Sequence, residues 1–344
     1  MAIRTRLTEQ LGIAVPIIQA PMNWATDPRF VAAVSNAGGL GVLGPNAGVA
    51  EPTPDPAAVG ERLRRLIREI RSLTDRPFAV NFPIGRGADR AFSDATVAVA
   101  VEEHAPIAIV VEGSPEVYTE TLKAAGIFVM HAIGNVRHAH KAEACRVDAV
   151  IAEGYEAGGH SGFDELPVSV LVPQVAAAVR IPVIAAGGIV NGQGLVSALA
   201  LGAQAVSMGT RFMATRECPI HTDIKAAIVA ASDQSTLSWG RTTEVARTFR
   251  NAFAEQYRRL ELGGASPDEL RQFVRSYDRI PGGRRVGGLK HGDLEQGEIY
   301  LGAGAGMIGD VLSCAEVIEQ TMAEAHAILE RLNSLAATSL SAAD

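Results

Sequence analysis

Short runs of β-branched and apolar residues alternate along the chain with longer stretches in which apolar positions recur at helical spacing. That alternation marks a parallel sheet, because consecutive parallel strands need a long crossover between them and a helix supplies it. Eight runs read as strands: residues 15–20, 40–43, 78–82, 107–111, 127–131, 148–152, 182–186 and 205–208. Helices are predicted between them over 28–37, 56–73, 115–125, 136–144, 168–179 and 194–201. Within 56–73, Leu63, Leu66, Ile67 and Ile70 share one face, so the basic run 61–69 reads as an amphipathic helix with solvated charges. Eight strands with intervening helices predict an α/β fold, a (β/α)8 TIM barrel, over an open sheet.

Past residue 208 the pattern changes. Residues 214–262 and 267–277 read as helices without further strands, and 280–288 holds PGGRRVGG, an irregular linker or lid. A last helix is expected over 311–335, followed by a fraying tail. The expected division is a barrel from 1–214 and 296–344, with 215–295 a helical insertion after strand 8 that covers the active site. The length of 344 residues suits this, since a barrel of about 250 residues plus an insertion fills it.

Composition adds exclusions. With 47% apolar and 20% charged residues the chain can bury a large core, which rules out disorder as its main state. A net charge of −7 gives no basic field for phosphate backbones or anionic membranes, so neither nucleic acid nor a membrane is an expected partner. Cys145, Cys218 and Cys314 are odd in number, widely spaced and without a CxxC pair, which points to neither zinc nor a disulfide framework. Together with the lack of a membrane-length apolar run or a signal-peptide core, this leads to a cytoplasmic expectation.

In a parallel barrel the chemistry sits at the C-terminal ends of the strands. The seventh and eighth runs end in Ala186-Gly187-Gly188-Ile189 and Met208-Gly209-Thr210-Arg211. Glycines there let backbone N–H groups approach an anion, and loops after these two strands are where barrels commonly hold phosphate. Tight βα turns are the plainer reading of either motif alone; the pair favours a phosphate site. His160, in a glycine-flanked loop after the sixth run, could transfer a proton near neutral pH. His131 ends the fifth run, where it either binds substrate or is a satisfied core histidine. Glu153 and Glu156 flank the same loop and read as groups that orient backbone N–H, with no catalytic role, and His138 and His140 face different sides of a helix, so no metal site is expected. The cysteines lack an adjacent base and read as structural. No GxGxxG follows the first strand, so a Rossmann nicotinamide site is not indicated.

The segments QAPMNWATDPRFVAAVSNAGGLGVLG, FAVNF, AEGYEAGGHSG, PVIAAGGIVNGQG and AVSMGTRFMATRE together resemble the nitronate monooxygenase family, formerly called 2-nitropropane dioxygenases. That family also contains FMN-dependent NAD(P)H:quinone reductases, which MGTRFMATRECPIHTDIKAAI and EVARTFRNA resemble most, and flavin-dependent enoyl-acyl-carrier-protein reductases. The resemblance implies non-covalent FMN, with its phosphate on Gly187, Gly188, Gly209 and Thr210. Pro21, Met22, Asn23 and Asn81 would lie against the isoalloxazine ring and Gly158 near the ribityl chain. It makes His160 the base acting on a nitronate or nitroalkane, although the reductases carry the same histidine. GDLEQGEIYLGAGAGMIGD resembles a segment that returns to the flavin, departing from the family pattern where Ala303 follows Gly302. The expected activity is nitronate oxidation with O2 to a carbonyl compound and nitrite, with an NAD(P)H-dependent quinone or enoyl reductase as the alternative. Expected partners are a small-molecule substrate, O2 or NAD(P)H as co-substrate, and a second copy of the chain.

Overall fold

All eight runs form strands in the computed structural model, which describes residues 3–49, 53–85, 87–277 and 283–341. They are β1 (Ile17–Gln19), β2 (Gly41–Leu43), β3 (Phe78–Pro83), β4 (Ile107–Val111), β5 (Phe128–Ile133), β6 (Ala149–Glu153), β8 (Val183–Ala186) and β9 (Ala205–Met208). All pair in parallel, in the order β1-β9-β8-β6-β5-β4-β3-β2. The cylinder closes at an Ile18–Leu40 bridge between the first and second strand regions. There the buried Gln19 side chain accepts from Val42 N at 2.8 Å, so an amide side chain extends the short ladder.

Both faces of the strands are apolar, as a sheet enclosed by helices requires. Alternate residues divide accordingly. Ile107 and Ile109 join Leu40, Val42, Met130 and Ile184 inside the barrel, whereas Ala108 and Val110 pack outward against the helical ring. The helix Arg6–Leu11, capped by Thr5, adds Leu7 and Leu11 to the interior cluster. It was not foreseen, nor was the helix Arg90–Glu102, whose stretch Val97-Ala98-Val99-Ala100-Val101 alternates like a strand. The charges of the basic run are not merely solvated: Arg64 and Arg68 reach Glu103, at the end of Arg90–Glu102, at 2.9 and 2.7 Å.

The region after residue 208 departs most from expectation. Residues 214–262 are not continuous helix; helix Thr222–Val229 is followed by β10 (Thr236–Trp239) and β11 (Ala246–Phe249), and only then by helix Ala252–Leu262. Both strands have β-branched or aromatic residues, but four residues are too few for a strand period to stand out, and in β10 Thr236, Leu237 and Trp239 are all buried. They pair antiparallel, and β11 also pairs with β7 (Gly159–His160), matching Ala246 to His160. Leu237, Trp239, Phe253, Tyr257 and Leu270 form a second small core beneath this sheet. The glycine- and arginine-rich segment is also not irregular where it is described. Gly283–His291 is a helix with Val286, Gly287, Gly288 and Leu289 buried. Gly288 fits because a Cβ there would lie 2.8 Å from Ile299 Cγ1, so close backbone approach sets the residue. Residues 278–282 of that expected lid lie outside the described residues. The last helix among the described residues, Cys314–Ser341, is longer than expected.

Candidate functional site

The C-terminal ends of the barrel strands open into a cavity of ≈ 620 Å³, within the range of cofactor and small-molecule sites. Every site residue expected from the sequence lines it: Pro21, Met22 and Asn23 after β1, Asn81 on β3, His131 on β5, Gly158 and His160 around β7, Gly187 and Gly188 after β8, and Gly209 and Thr210 after β9.

One corner is made of backbone. Gly187 and Gly188 hold φ of +116° and +67°, a region L residues avoid, and a Cβ on Gly187 would meet Gly154 O at 3.0 Å. Gly209 is different: its φ is −97°, and a Cβ would meet nothing closer than Ala20 Cβ at 3.6 Å. Among the described residues, the amides of Gly187, Gly188, Gly209 and Thr210 donate to no protein acceptor. Four amides without a protein acceptor along one cavity lining suit an anion with several oxygens. The Thr210 hydroxyl accepts from Gly302 N at 2.9 Å, tying this corner to the returning C-terminal segment. Arg211, almost fully buried, holds the same segment through Asp310 at 2.8 Å.

Inward from that corner, Asn23 Oδ1 is buried without a hydrogen-bond partner, an acceptor that an N–H of a bound ring would satisfy. Asn81 is fixed by its amide donating to Ile109 O at 3.0 Å. His131 is 3% exposed and its Nδ1 has no partner. Burial pushes its pKa down to about 4 against the pull of a backbone hydrogen bond at Gly113, so the ring is neutral at neutral pH. These groups fit FMN in size and in donor and acceptor character, with the phosphate in the glycine corner.

The opposite wall is made of side chains. His160 Nε2 lies 3.2 Å from Glu244 Oε2, and its ring meets Tyr300 edge-on at 5.5 Å. Tyr300 donates to Glu298, which is buried between Arg284 at 3.1 Å and Arg285 at 3.3 Å. Burial works to raise the Glu298 carboxyl, but Arg285, Arg284 and the Tyr300 hydroxyl outweigh it and hold it below the usual range. The Tyr300 hydroxyl is pushed well up by burial and by Glu298. Tyr300, Glu298 and Arg285 carry no role in the sequence reading, although EIYL lies in a segment matched to the family; the returning segment reaches His160 by packing on the loop before β7, where Ala303 N donates to Glu156 O at 2.8 Å, and by Phe249 N on β11 donating to Ile299 O at 2.8 Å.

Glu153 and Glu156 separate. Glu156 accepts from Val168 N at 3.0 Å, orienting backbone as expected. Glu153 instead faces the cavity, where burial, opposed by His160, pushes its pKa up to about 7. Cys218 and Cys314 are buried thiols with pKa values raised chiefly by burial, which matches a structural role. His138 is exposed at the cavity rim. No helix among the described residues is long and apolar enough to cross a membrane.

The sequence profile described as nitronate monooxygenase matches residues 4–324. A (3aS,4S,5R,7aS)-5-hydroxy-7a-methyl-1-oxo-octahydro-1H-indene-4-carboxyl-CoA dehydrogenase of Mycobacterium tuberculosis is 31% identical over 376 residues, covering 97% of this chain and 99% of that one. Its namesake from Rhodococcus jostii is 37% identical over 234 residues, 68% of this chain and 62% of that protein. A nitronate monooxygenase of Paraburkholderia phytofirmans is 34% identical over 95% of this chain and 96% of its own. Among solved structures, FabK of Thermotoga maritima superposes with a TM-score of 0.85 at 36% identity, covering 97% of this chain and 99% of that one.

Proposed function

This chain belongs to the nitronate monooxygenase family of oxidoreductases, and we propose that it binds FMN and oxidises alkyl nitronates with O2 to carbonyl compounds and nitrite. The observation that carries this reading is the pairing, across one cavity, of four unsatisfied amides with the His160 imidazole. Gly187, Gly188, Gly209 and Thr210 would hold the phosphate, Gly158 would flank the ribityl chain, and Pro21, Met22, Asn23 and Asn81 would lie against the ring. When bound, FMN would supply the electron transfer between substrate and O2.

The protein's share is proton chemistry and positioning. When the substrate arrives as a neutral nitroalkane, His160 takes the proton from the carbon bearing the nitro group to give the nitronate, and the Glu244 carboxylate at 3.2 Å from Nε2 stabilises the imidazolium that forms. Tyr300 restrains the ring from its edge. His131, kept neutral, binds substrate by hydrogen bonding. Of the inserted segment, Arg285 and Leu289 on the helix Gly283–His291 line the cavity and would limit water on that side.

A second reading, an NAD(P)H-dependent reductase of quinones or activated double bonds, is favoured by the relatives named as CoA-ester dehydrogenases and by a further cavity beyond His160. The deciding assay incubates the flavin-loaded protein with 2-propyl nitronate and O2. Nitrite and acetone in equal amounts are expected; no nitrite, with NADH or NADPH consumed in the presence of a quinone or an enoyl thioester, would move the assignment to the reductase.

A further inference from the structure

Removing a proton from a nitroalkane carbon sends the C–H electron pair toward the nitro group, so negative charge gathers on its two oxygens. His160 takes the proton, but a second group must receive the charge. Several polar side chains of the site are already committed: Asn81 gives its amide to Ile109 O at 3.0 Å, Tyr300 gives its hydroxyl to Glu298, and His160 Nε2 faces Glu244 at 3.2 Å. His131 is neutral and brings no charge.

Among the described residues, the lysine and arginine side chains that line the cavity are Lys141 and Arg285. Lys141 pairs with Glu116 at 2.9 Å. Arg285 stands in the first turn of helix Gly283–His291, four positions before Leu289, and both line the cavity, as residues sharing one helix face do. Its side chain is 36% exposed, which leaves it open to a ligand. Nε donates to Glu298 Oε1 at 3.3 Å, whereas among the described residues the two terminal nitrogens hydrogen-bond to no protein acceptor. The guanidinium also lies 5.4 Å from the centre of the Tyr300 ring, and that ring meets His160 edge-on at 5.5 Å. Glu298 is 4% exposed and pairs with Arg284 as well, so the anchor is itself fixed. The outcome is a planar fork held at one corner, beside the ring that restrains the proposed base, with its outer edge unused. Such a fork matches the two oxygens of one planar anion.

We propose that Arg285 binds the two oxygens of the substrate's nitro group, and so selects substrates that present a planar two-oxygen anion in this cavity. Leu289, one turn along, packs on the alkyl part. As His160 takes the proton, the C–H pair becomes the C=N bond, one N=O pair moves onto oxygen, and the guanidinium stabilises that charge where it forms. The inference deepens the proposed nitronate reaction and rests on it for the identity of the substrate.

The test is isothermal titration of the FMN-loaded protein with isobutyrate, which has the shape and charge of 2-propyl nitronate but no nitro group to react, and with isobutyramide, its neutral counterpart. The native chain should bind isobutyrate about tenfold or more tightly than the amide, the value of a hydrogen-bonded charge. In Arg285→Gln that preference should disappear. In Arg285→Lys, which keeps the charge and loses the fork, part of it should remain. Equal weakening of both ligands in Arg285→Gln would reduce Arg285 to a support for Glu298 and Tyr300 and overturn the proposal, as would the absence of a preference in the native chain or its persistence in Arg285→Gln. Should Arg285→Gln fail to retain flavin, Arg285→Lys decides: a reduced preference supports the proposal and an unchanged one overturns it. Neither ligand is oxidised, so a protein that shows the preference and yet makes no nitrite from 2-propyl nitronate defeats the proposed reaction while upholding Arg285 as the anion site.

Discussion

At the ends of β8 and β9 the cavity wall is main chain: glycine amides with no acceptor, two of them on residues whose positive φ only glycine adopts comfortably. Across the cavity, around β7, the wall is side chain: His160 against Tyr300, with Glu298 and two arginines behind them. The first wall is local, since each loop supplies its own donors as it leaves a strand. The second is assembled from segments distant in sequence: the segment after the insertion packs on the loop before β7 through Ala303 N and Glu156 O, and β11 pairs with β7. A change to the first wall should therefore act on cofactor occupancy, and a change to the second on proton transfer and local stability.

The largest effect is expected from Gly209→Val. The residue has ordinary backbone angles and room for a Cβ, so the variant should fold, but its branched side chain would project toward Ala20 and Met22 into the cavity. Flavin absorbance should be nearly absent with an unchanged circular dichroism spectrum; full occupancy would break the assignment of that wall. Gly188→Val should also lose flavin, but it adds strain at a φ of +67° and is the less clean experiment.

His160→Asn comes next. Turnover of neutral nitroalkanes should fall about 10²-fold to 10⁴-fold, the usual contribution of a positioned general base, with flavin content unchanged. A pre-formed nitronate already lacks that proton and should be affected much less. Equal losses on both substrates would reduce His160 to a binding group.

Glu298→Gln removes a buried carboxylate that pairs with both Arg284 and Arg285. A loss of about 3 to 5 kcal/mol in unfolding free energy is expected from denaturant titration, because breaking a buried pair costs more than the pair contributes. An unchanged midpoint would mean that the side-chain wall does not depend on this carboxylate.

The smallest effect concerns Glu153. Its folded pKa of about 7 lies above the ordinary 4.5, so below pH 4.5 the group is neutral in both folded and unfolded chains and costs nothing. Between 4.5 and 7 the folded protein loses stability relative to a neutral side chain, reaching a full cost of up to about 3 kcal/mol above pH 7. Glu153→Gln should thus be stabilised at pH 8 and indistinguishable from the native chain at pH 4.

The same division governs what the sequence made legible. Eight apolar runs gave the barrel because strands enclosed on both faces are apolar throughout, and the glycine pairs stood out because they end two of those runs. His160 and His131 were visible as lone titratable residues at strand ends. The small sheet was not, because four-residue strands at Thr236–Trp239 and Ala246–Phe249 carry too little periodic signal against helical surroundings. Tyr300 and Glu298 reach His160 by a backbone contact between Ala303 and Glu156, distant in sequence, that no local pattern marks. Gly283–His291 was misread because glycine and arginine suggest a loop, whereas close backbone packing at Gly288 makes glycine the residue that fits the helix.

The most direct test of the account is anaerobic mixing of the FMN-loaded protein with 2-propyl nitronate, NADH and NADPH in separate experiments, following the visible absorbance of the oxidised flavin. Rapid bleaching by the nitronate, with colour restored on admitting O2, is the predicted result. Bleaching by NADH or NADPH with no response to the nitronate would contradict the proposed reaction.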